Sequence, residues 1–249
     1  MSDAPILTRL QQTLGRGVFA MMVANGLIFL IFVIGIRQVG SASLLSLYDH
    51  VLALSLPALG DGYLWTLLTY GFLHNLGDPF HLLFNLLGLY FFGPMLERRV
   101  DTGRFLRFYL IAIVAGGVLQ ALASVAMADP STTVGASAGV MALFAAFAFA
   151  HPDARVLLFF VVPVRARYLL PITVAVDVLV WLTGSNVALF AHLGGLAAAW
   201  VMLRGWPPRL ALARLRGWRA YLGQKGGKKR PFTVINGGNG RPGDRSTWN

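Results

Sequence analysis

Long runs without charge alternate along this chain with short segments where charges, glycines and prolines gather. Six runs approach the length needed to cross a hydrocarbon core of about 30 Å at about 1.5 Å of rise per helical residue. They cover residues 18–36, 80–96, 105–127, 137–150, 168–183 and 187–203, and they predict six membrane helices. A further candidate, 50–73, is rich in leucine and aromatics but is interrupted by Pro57 and by Gly60-Asp61-Gly62. It reads as a structured loop lying partly in the interface.

Charge supplies the sidedness. Arg9 and Arg16 precede the first run, Arg98, Arg99, Arg104 and Arg107 separate the second from the third, and Arg155, Arg165 and Arg167 separate the fourth from the fifth. From Arg204 onward the tail carries 11 Lys and Arg. The alternate connections, 38–79, 128–136 and 184–186, hold Asp49, Asp61, Asp78 and Asp129 and no Lys or Arg. Positive loops stay in the cytoplasm, so six spans with both termini cytoplasmic fit this alternation, leaving Arg37 alone at an outer edge. Seven spans would not fit. The expected layout is a short cytoplasmic N terminus (1–17), a six-helix domain (18–204) and a basic tail (205–249), in a multi-pass protein of a bacterial inner membrane.

Composition agrees. The 249 residues are 56% hydrophobic and only 12% charged, against about 25% charged in an ordinary soluble domain. A soluble fold of this length cannot hide that much apolar surface. The formal charge of +11 would suit nucleic acid, but the positive residues avoid the apolar runs and gather at their ends, so no nucleic-acid partner is expected. The absence of cysteine excludes disulfides, thiolate metal sites and a cysteine nucleophile. The first run contains Asn25 and Gly26 and lacks a small-residue cleavage site before Arg37, so it is expected to remain as a helix rather than be removed as a signal. Past Pro207-Pro208, Ala211, Leu215, Trp218 and Leu222 are interleaved with Arg209, Arg214, Arg216 and Arg219. This segment reads either as a short basic helix on an anionic leaflet or as a solvated tail. The glycine-rich end beyond it is expected to be disordered.

Polar groups at membrane depth cost free energy unless paired or hydrated, which makes them the places to look for chemistry. Three clusters stand out: Phe80-His81-Leu82-Leu83-Phe84-Asn85, Gly135-Ala136-Ser137-Ala138-Gly139 and Ala191-His192-Leu193-Gly194-Gly195. The expected topology puts all three toward the outer ends of their helices. His81 and Asn85, four apart, share a helix face; they either offer donors to a common point or hold spans together by hydrogen bonds. Ser137 opens a helix between two glycines, where first-turn amides can face a developing anion; the same run of small residues is otherwise a packing surface.

From Ser137 to Ala150 the helix is about 21 Å long, too short for the hydrocarbon, so the serine is expected below the outer surface, facing buried water. Gly195 and Ala199 let the helix of His192 approach a neighbour closely. If that neighbour is the helix of Ser137, the imidazole can take the serine's proton during attack on a carbonyl and return it to a leaving amine. No carboxylate is evidently placed to orient the histidine. Asp177, mid-span, is the only acid within an apolar run and reads as a structural hydrogen-bonding group rather than a third catalytic member. The five histidines show no metal-ligand spacing, and no cofactor is expected.

Together, in this order and on these spans, the three motifs resemble the rhomboid family of intramembrane serine proteases, over residues from about Trp65 to Arg204. The resemblance implies a Ser137 nucleophile and a His192 general base acting as a dyad, with Asn85, His81 and the Ser137 amide as the oxyanion site. It implies that the substrates are transmembrane segments of single-pass proteins, cut near their outer ends. Loop 38–79, with Trp65, Tyr70 and Phe72 as interfacial side chains, would shape the lateral boundary, and span five would be the movable wall. Glu97-Arg98 resembles the family's inner-boundary motif. Departures are Ala138 where a glycine usually follows the serine, Trp65-Thr66 where a Trp-Arg pair is common, and Ala199 where glycine is typical. His74 resembles a further family histidine at a longer spacing and is not placed in the site.

Two other readings compete. A non-catalytic relative would bind membrane proteins with the same bundle, but such relatives lose the serine or the histidine, and both are present. A small-solute transporter is disfavoured by the lack of an internal repeat and by Asp177 being the only intramembrane acid.

Overall fold

The computed structural model describes residues 6–158, 161–184 and 188–205. The tail, including the basic helix considered over Ala211, Leu215, Trp218 and Leu222, lies outside the described residues.

Helix α1 (Ile6–Leu14) is followed by a turn at Gly15, whose φ of 96° suits glycine. Helix α2 (Arg16–Phe32) continues through a wider-wound segment, Val33–Gln38. The first amides of α2 are satisfied from another helix: the buried Glu97 carboxylate accepts from Gly17 N and Val18 N, both at 2.8 Å, and from the Thr102 hydroxyl at 2.6 Å. Helix α1 itself is an addition to the short N terminus the sequence suggested.

The interrupted apolar stretch at 50–73 does not span. The connection 38–79 that contains it breaks into α3 (Ala42–Ser46), a wider turn (Leu47–Leu52), α4 (Leu56–Gly60), α5 (Thr66–Thr69) and a tight turn (Tyr70–Phe72). The loop is tied by its own polar groups. Trp65 Nε1 donates to the Val51 carbonyl at 2.8 Å and the Thr69 hydroxyl to the Leu52 carbonyl at 2.7 Å. Thr66, at the departure from the Trp-Arg pair, is buried and donates to the Tyr63 carbonyl at 2.7 Å.

Five apolar helices follow at the expected places, α6 and α7 first. Helix α6 (Pro79–Val100) starts sharply because Pro79 occupies its first turn and the Asp78 carboxylate caps Phe80 N at 3.0 Å. Helix α7 (Thr102–Met127) is capped by Asp101 on Arg104 N at 3.0 Å. Helices α8 (Ser137–Ala150), α9 (Leu169–Leu182) and α10 (Leu189–Gly205) complete the bundle. Among the described residues, three helices are long and apolar enough to cross a membrane: Arg16–Gln38, Pro79–Val100 and Thr102–Met127. Ser137–Ala150 and Leu189–Arg204 are apolar but shorter. Large apolar side chains such as Leu27, Ile31, Leu122, Val125, Leu182 and Val201 are exposed on the outside, as lipid-facing positions of a membrane bundle should be.

One element departs from an all-helical reading. Between α8 and α9, β1 (Arg155–Leu158) pairs antiparallel with β2 (Val162–Arg165), with Arg155 opposite Arg165. This small hairpin occupies a connection and leaves the bundle all-α.

The centre is packed with small residues. Helix α10 lies against α7 and α8, and buried Ala138, Ala142, Ala145, Ala146 and Ala199 line the contacts. At Gly195 the helices come so close that an added Cβ would overlap the Ala138 carbonyl. Backbones meet here because side chains are missing.

Candidate active site

The serine is placed by the turn that enters α8. Gly135 has φ 133°, a conformation favourable to glycine, and its N–H donates to the Tyr70 carbonyl at 2.9 Å. Ser137 then occupies the first position of α8, where an amide has no carbonyl one turn earlier in the helix. Gly139 leaves room for the ring of Tyr109, whose hydroxyl lies 3.5 Å from the Ala136 carbonyl. Tyr70 was expected at the membrane interface. Instead it is fully buried, with its hydroxyl donating to the Ile113 carbonyl at 2.8 Å. Trp65 is half-exposed.

The methyl of Ala138, where a glycine would be usual, is accommodated because α7 offers a glycine opposite it. A Cβ on Gly116 would lie 2.5 Å from the Ala138 methyl, 2.7 Å from the Ala191 carbonyl oxygen and 2.8 Å from the Tyr70 hydroxyl. The extra methyl on α8 fits where one is absent on α7.

His192 sits in the first turns of α10. The Gln120 side chain on α7 steadies the start of that helix by accepting from Ala191 N at 3.3 Å. His192 Nε2 lies 2.7 Å from Ser137 Oγ, and its Nδ1 lies 2.7 Å from Asp177 Oδ2 on α9. The histidine and aspartate side chains are each 13% exposed. This corrects the expectation that no carboxylate is placed to orient the imidazole. A carboxylate only accepts, so the contact favours the tautomer that carries its proton on Nδ1 and presents the Nε2 lone pair to the serine hydroxyl.

On the other side of the serine, Asn75 N donates to His81 Nδ1 at 3.2 Å, which leaves His81 Nε2 to act as a donor. The point where Gly135 would carry a Cβ is 2.7 Å from His81 Nε2 and 3.6 Å from Ser137 Oγ. The two side chains therefore border one small space that only glycine leaves open. Asn85 is buried one turn below, its Nδ2 donating to the His81 carbonyl at 2.7 Å, so one of its two N–H groups is held within α6.

His74 stands behind this pair. Its ring meets that of His81 edge-on at 5.2 Å between centroids, and its backbone carbonyl accepts from the Tyr48 hydroxyl at 2.8 Å. Neither ring nitrogen of the fully buried His74 meets a hydrogen-bond partner of normal geometry. Burial, with a smaller contribution from nearby His81 and a weak opposing pull from the Phe72 backbone, pushes its pKa down to about 3.

Ser137, His192 and His81, drawn from α8, α10 and α6, thus gather around the turn at 135–137, with Asn85 bonded to the His81 carbonyl one turn further along α6. Sequence reasoning missed the positioning groups Gln120, Tyr109 and Asn75, and it gave Asp177 a separate place. The signal that was available for Asp177 was its isolation: a single acid in an apolar helix needs a partner.

A family model described as Rhomboid domain matches residues 61–206, a range that includes all of these site residues. RHOMBOID-like protein 12, mitochondrial, of Arabidopsis thaliana is 35% identical over 169 residues, covering 61% of this chain and 50% of that protein. The chain therefore spans about half the length of the curated relative it matches.

Proposed function

The chain belongs to the rhomboid family, and on that footing we propose that it is an intramembrane serine endopeptidase working by Ser137 and His192. The observation that carries this reading is the 2.7 Å separation of Ser137 Oγ and His192 Nε2, within the distance a nucleophile and its base need. In the reaction, Ser137 Oγ attacks the scissile carbonyl while His192 Nε2 takes its proton. The oxyanion that forms is met by His81 Nε2–H, by the free N–H of the Asn85 side chain and by the Ser137 amide. The tetrahedral intermediate collapses as its C–N bond breaks and His192 protonates the leaving amine, which leaves the acyl group on Ser137; a water deprotonated by the same imidazole then attacks that ester, and the imidazolium returns the proton to Ser137 Oγ as the second product departs.

The substrates are transmembrane segments of other membrane proteins. A peptide bond within a stable helix is shielded by its own hydrogen bond, so segments with helix-weakening residues and a small residue before the cut are favoured. The distribution of arginines supports cleavage at the outer side of a cell membrane, with both termini inside. The same distribution supports contact of the basic tail with anionic lipid.

The test is cleavage of a fluorescent transmembrane peptide by the purified full chain in detergent. The parent chain cleaves and Ser137→Ala and His192→Ala do not. Unchanged cleavage by Ser137→Ala would remove the protease assignment and leave a binding protein or a contaminant to explain the result.

A further inference from the structure

The geometry points to Asp177 as a positioning residue for the proposed reaction, converting the Ser137–His192 dyad into an acid–imidazole–hydroxyl line. The inference rests on the protease reading and adds to it a third group from a different helix.

Helix α9 is the most outward-facing of the bundle's apolar helices. Leu169 is its one fully buried residue, while Val176, Val178, Leu179, Trp181 and Leu182 are exposed. On such a helix a carboxylate has every opportunity to turn toward the surface, yet the Asp177 side chain is 13% exposed and its Oδ2 stands 2.7 Å from His192 Nδ1. An acid at this depth is costly unless paired. The partner it has is the one side chain whose orientation decides whether Ser137 can be deprotonated.

The two 2.7 Å contacts sit on opposite nitrogens of one ring. The proton on Nδ1 is held by the carboxylate throughout. The proton that moves is the serine's, from Oγ to Nε2 and from there to the leaving amine. Asp177 neither gains nor loses a proton; it keeps the ring in the tautomer whose Nε2 is free to accept, and it favours the imidazolium formed during attack. A mere clip between α9 and α10 would use the same bond but would leave the rate of the chemical step unaffected once the helices are docked.

The experiment compares the full chain with Asp177→Asn, which keeps the shape and removes the charge, and with Asp177→Glu, which keeps the charge. kcat and KM for a transmembrane peptide, the rate of Ser137 labelling by a fluorophosphonate, and the thermal unfolding midpoint are measured in the same detergent. Serine proteases built on a triad lose about 10⁴-fold in kcat when this carboxylate is made neutral. We expect kcat of Asp177→Asn to fall at least tenfold with KM within about twofold of the parent, labelling to slow in parallel, and Asp177→Glu to recover part of the loss. A kcat for Asp177→Asn equal to the parent's overturns the proposal and leaves the protease reading intact. So does a loss accompanied by failure to fold, which would assign the carboxylate to holding α9 in place. A parent chain that neither labels nor cleaves overturns the protease reading, and this proposal with it.

Discussion

Gly135 and His81 face each other so closely that a Cβ on the glycine would lie 2.7 Å from the imidazole Nε2, and the same point is 3.6 Å from Ser137 Oγ. The space between the serine hydroxyl and the imidazole is thus maintained by the absence of one methyl group. Gly135→Ala puts that methyl into it and also forces an alanine to φ 133°. Blocking one oxyanion donor costs about 2.7–4 kcal/mol of transition-state stabilisation. We therefore expect peptide cleavage to fall by roughly two to three orders of magnitude. Activity measured beside fluorophosphonate labelling of Ser137 checks this, and a Gly135→Ala chain as active as the parent would show that His81 Nε2 is not directed at the reacting oxygen.

Asn85 gives a graded counterpart. One of its N–H groups is held by the His81 carbonyl at 2.7 Å, so the side chain is already oriented and only its second N–H is available to an oxyanion. Asn85→Ala removes a donor but leaves Ser137 and His192 in contact, whereas His192→Ala removes the base. The serine-directed probe should label Asn85→Ala more slowly than the parent, and His192→Ala far more slowly still. Equal labelling of all three chains would contradict the division of roles.

His74 makes stability depend on pH. Its pKa is about 3 in the folded chain against 6.5 ordinarily, so between those values the unfolded chain binds a proton that the folded one excludes. Stability from this group is complete above about pH 6.5 and is lost as pH falls toward 3, with a limiting slope of about 1.4 kcal/mol per pH unit. His74→Phe keeps a buried ring and removes the proton. The unfolding midpoint of the parent should drop between pH 7 and pH 4.5 by more than that of His74→Phe in the same detergent. Parallel decline of the two would place the pH sensitivity elsewhere.

The spans were legible because lipid imposes one requirement, a long uncharged helix, and 18–36, 80–96 and 105–127 answer it directly. The interruption at Pro57 and Gly60-Asp61-Gly62 was equally legible, since neither proline nor paired glycines sustain a spanning helix. The His192–Asp177 contact was not. Those residues lie 15 positions apart on two helices, and the periodicity of neither helix tells which of its faces meets the other. Tyr70 misled for a different reason. An aromatic near an apolar boundary fits an interfacial belt, and only the missing side chains of Gly116 and Gly117 on α7 let this ring go inside. The hairpin 155–165 is too short to leave an alternation pattern that competes with a charged loop.

Gly116 and Ala138 provide a test of how the site is packed. The alanine after the serine departs from the family's usual glycine, and its methyl is accommodated by the bare backbone of α7. Gly116→Ala would bring a second methyl to 2.5 Å from the first, and to 2.7 Å from the Ala191 carbonyl oxygen beside His192. Overpacking of this kind costs about 1–3 kcal/mol, and here the displaced backbone is the one that carries the proposed general base. Gly116→Ala should lower the unfolding midpoint and reduce cleavage together. The double variant Gly116→Ala with Ala138→Gly relieves the methyl–methyl clash but not the one with the carbonyl, so it should recover part of both losses. No recovery in the double variant would mean that the Ala191 carbonyl and the Tyr70 hydroxyl, not Ala138, set the spacing between α7 and helices α8 and α10.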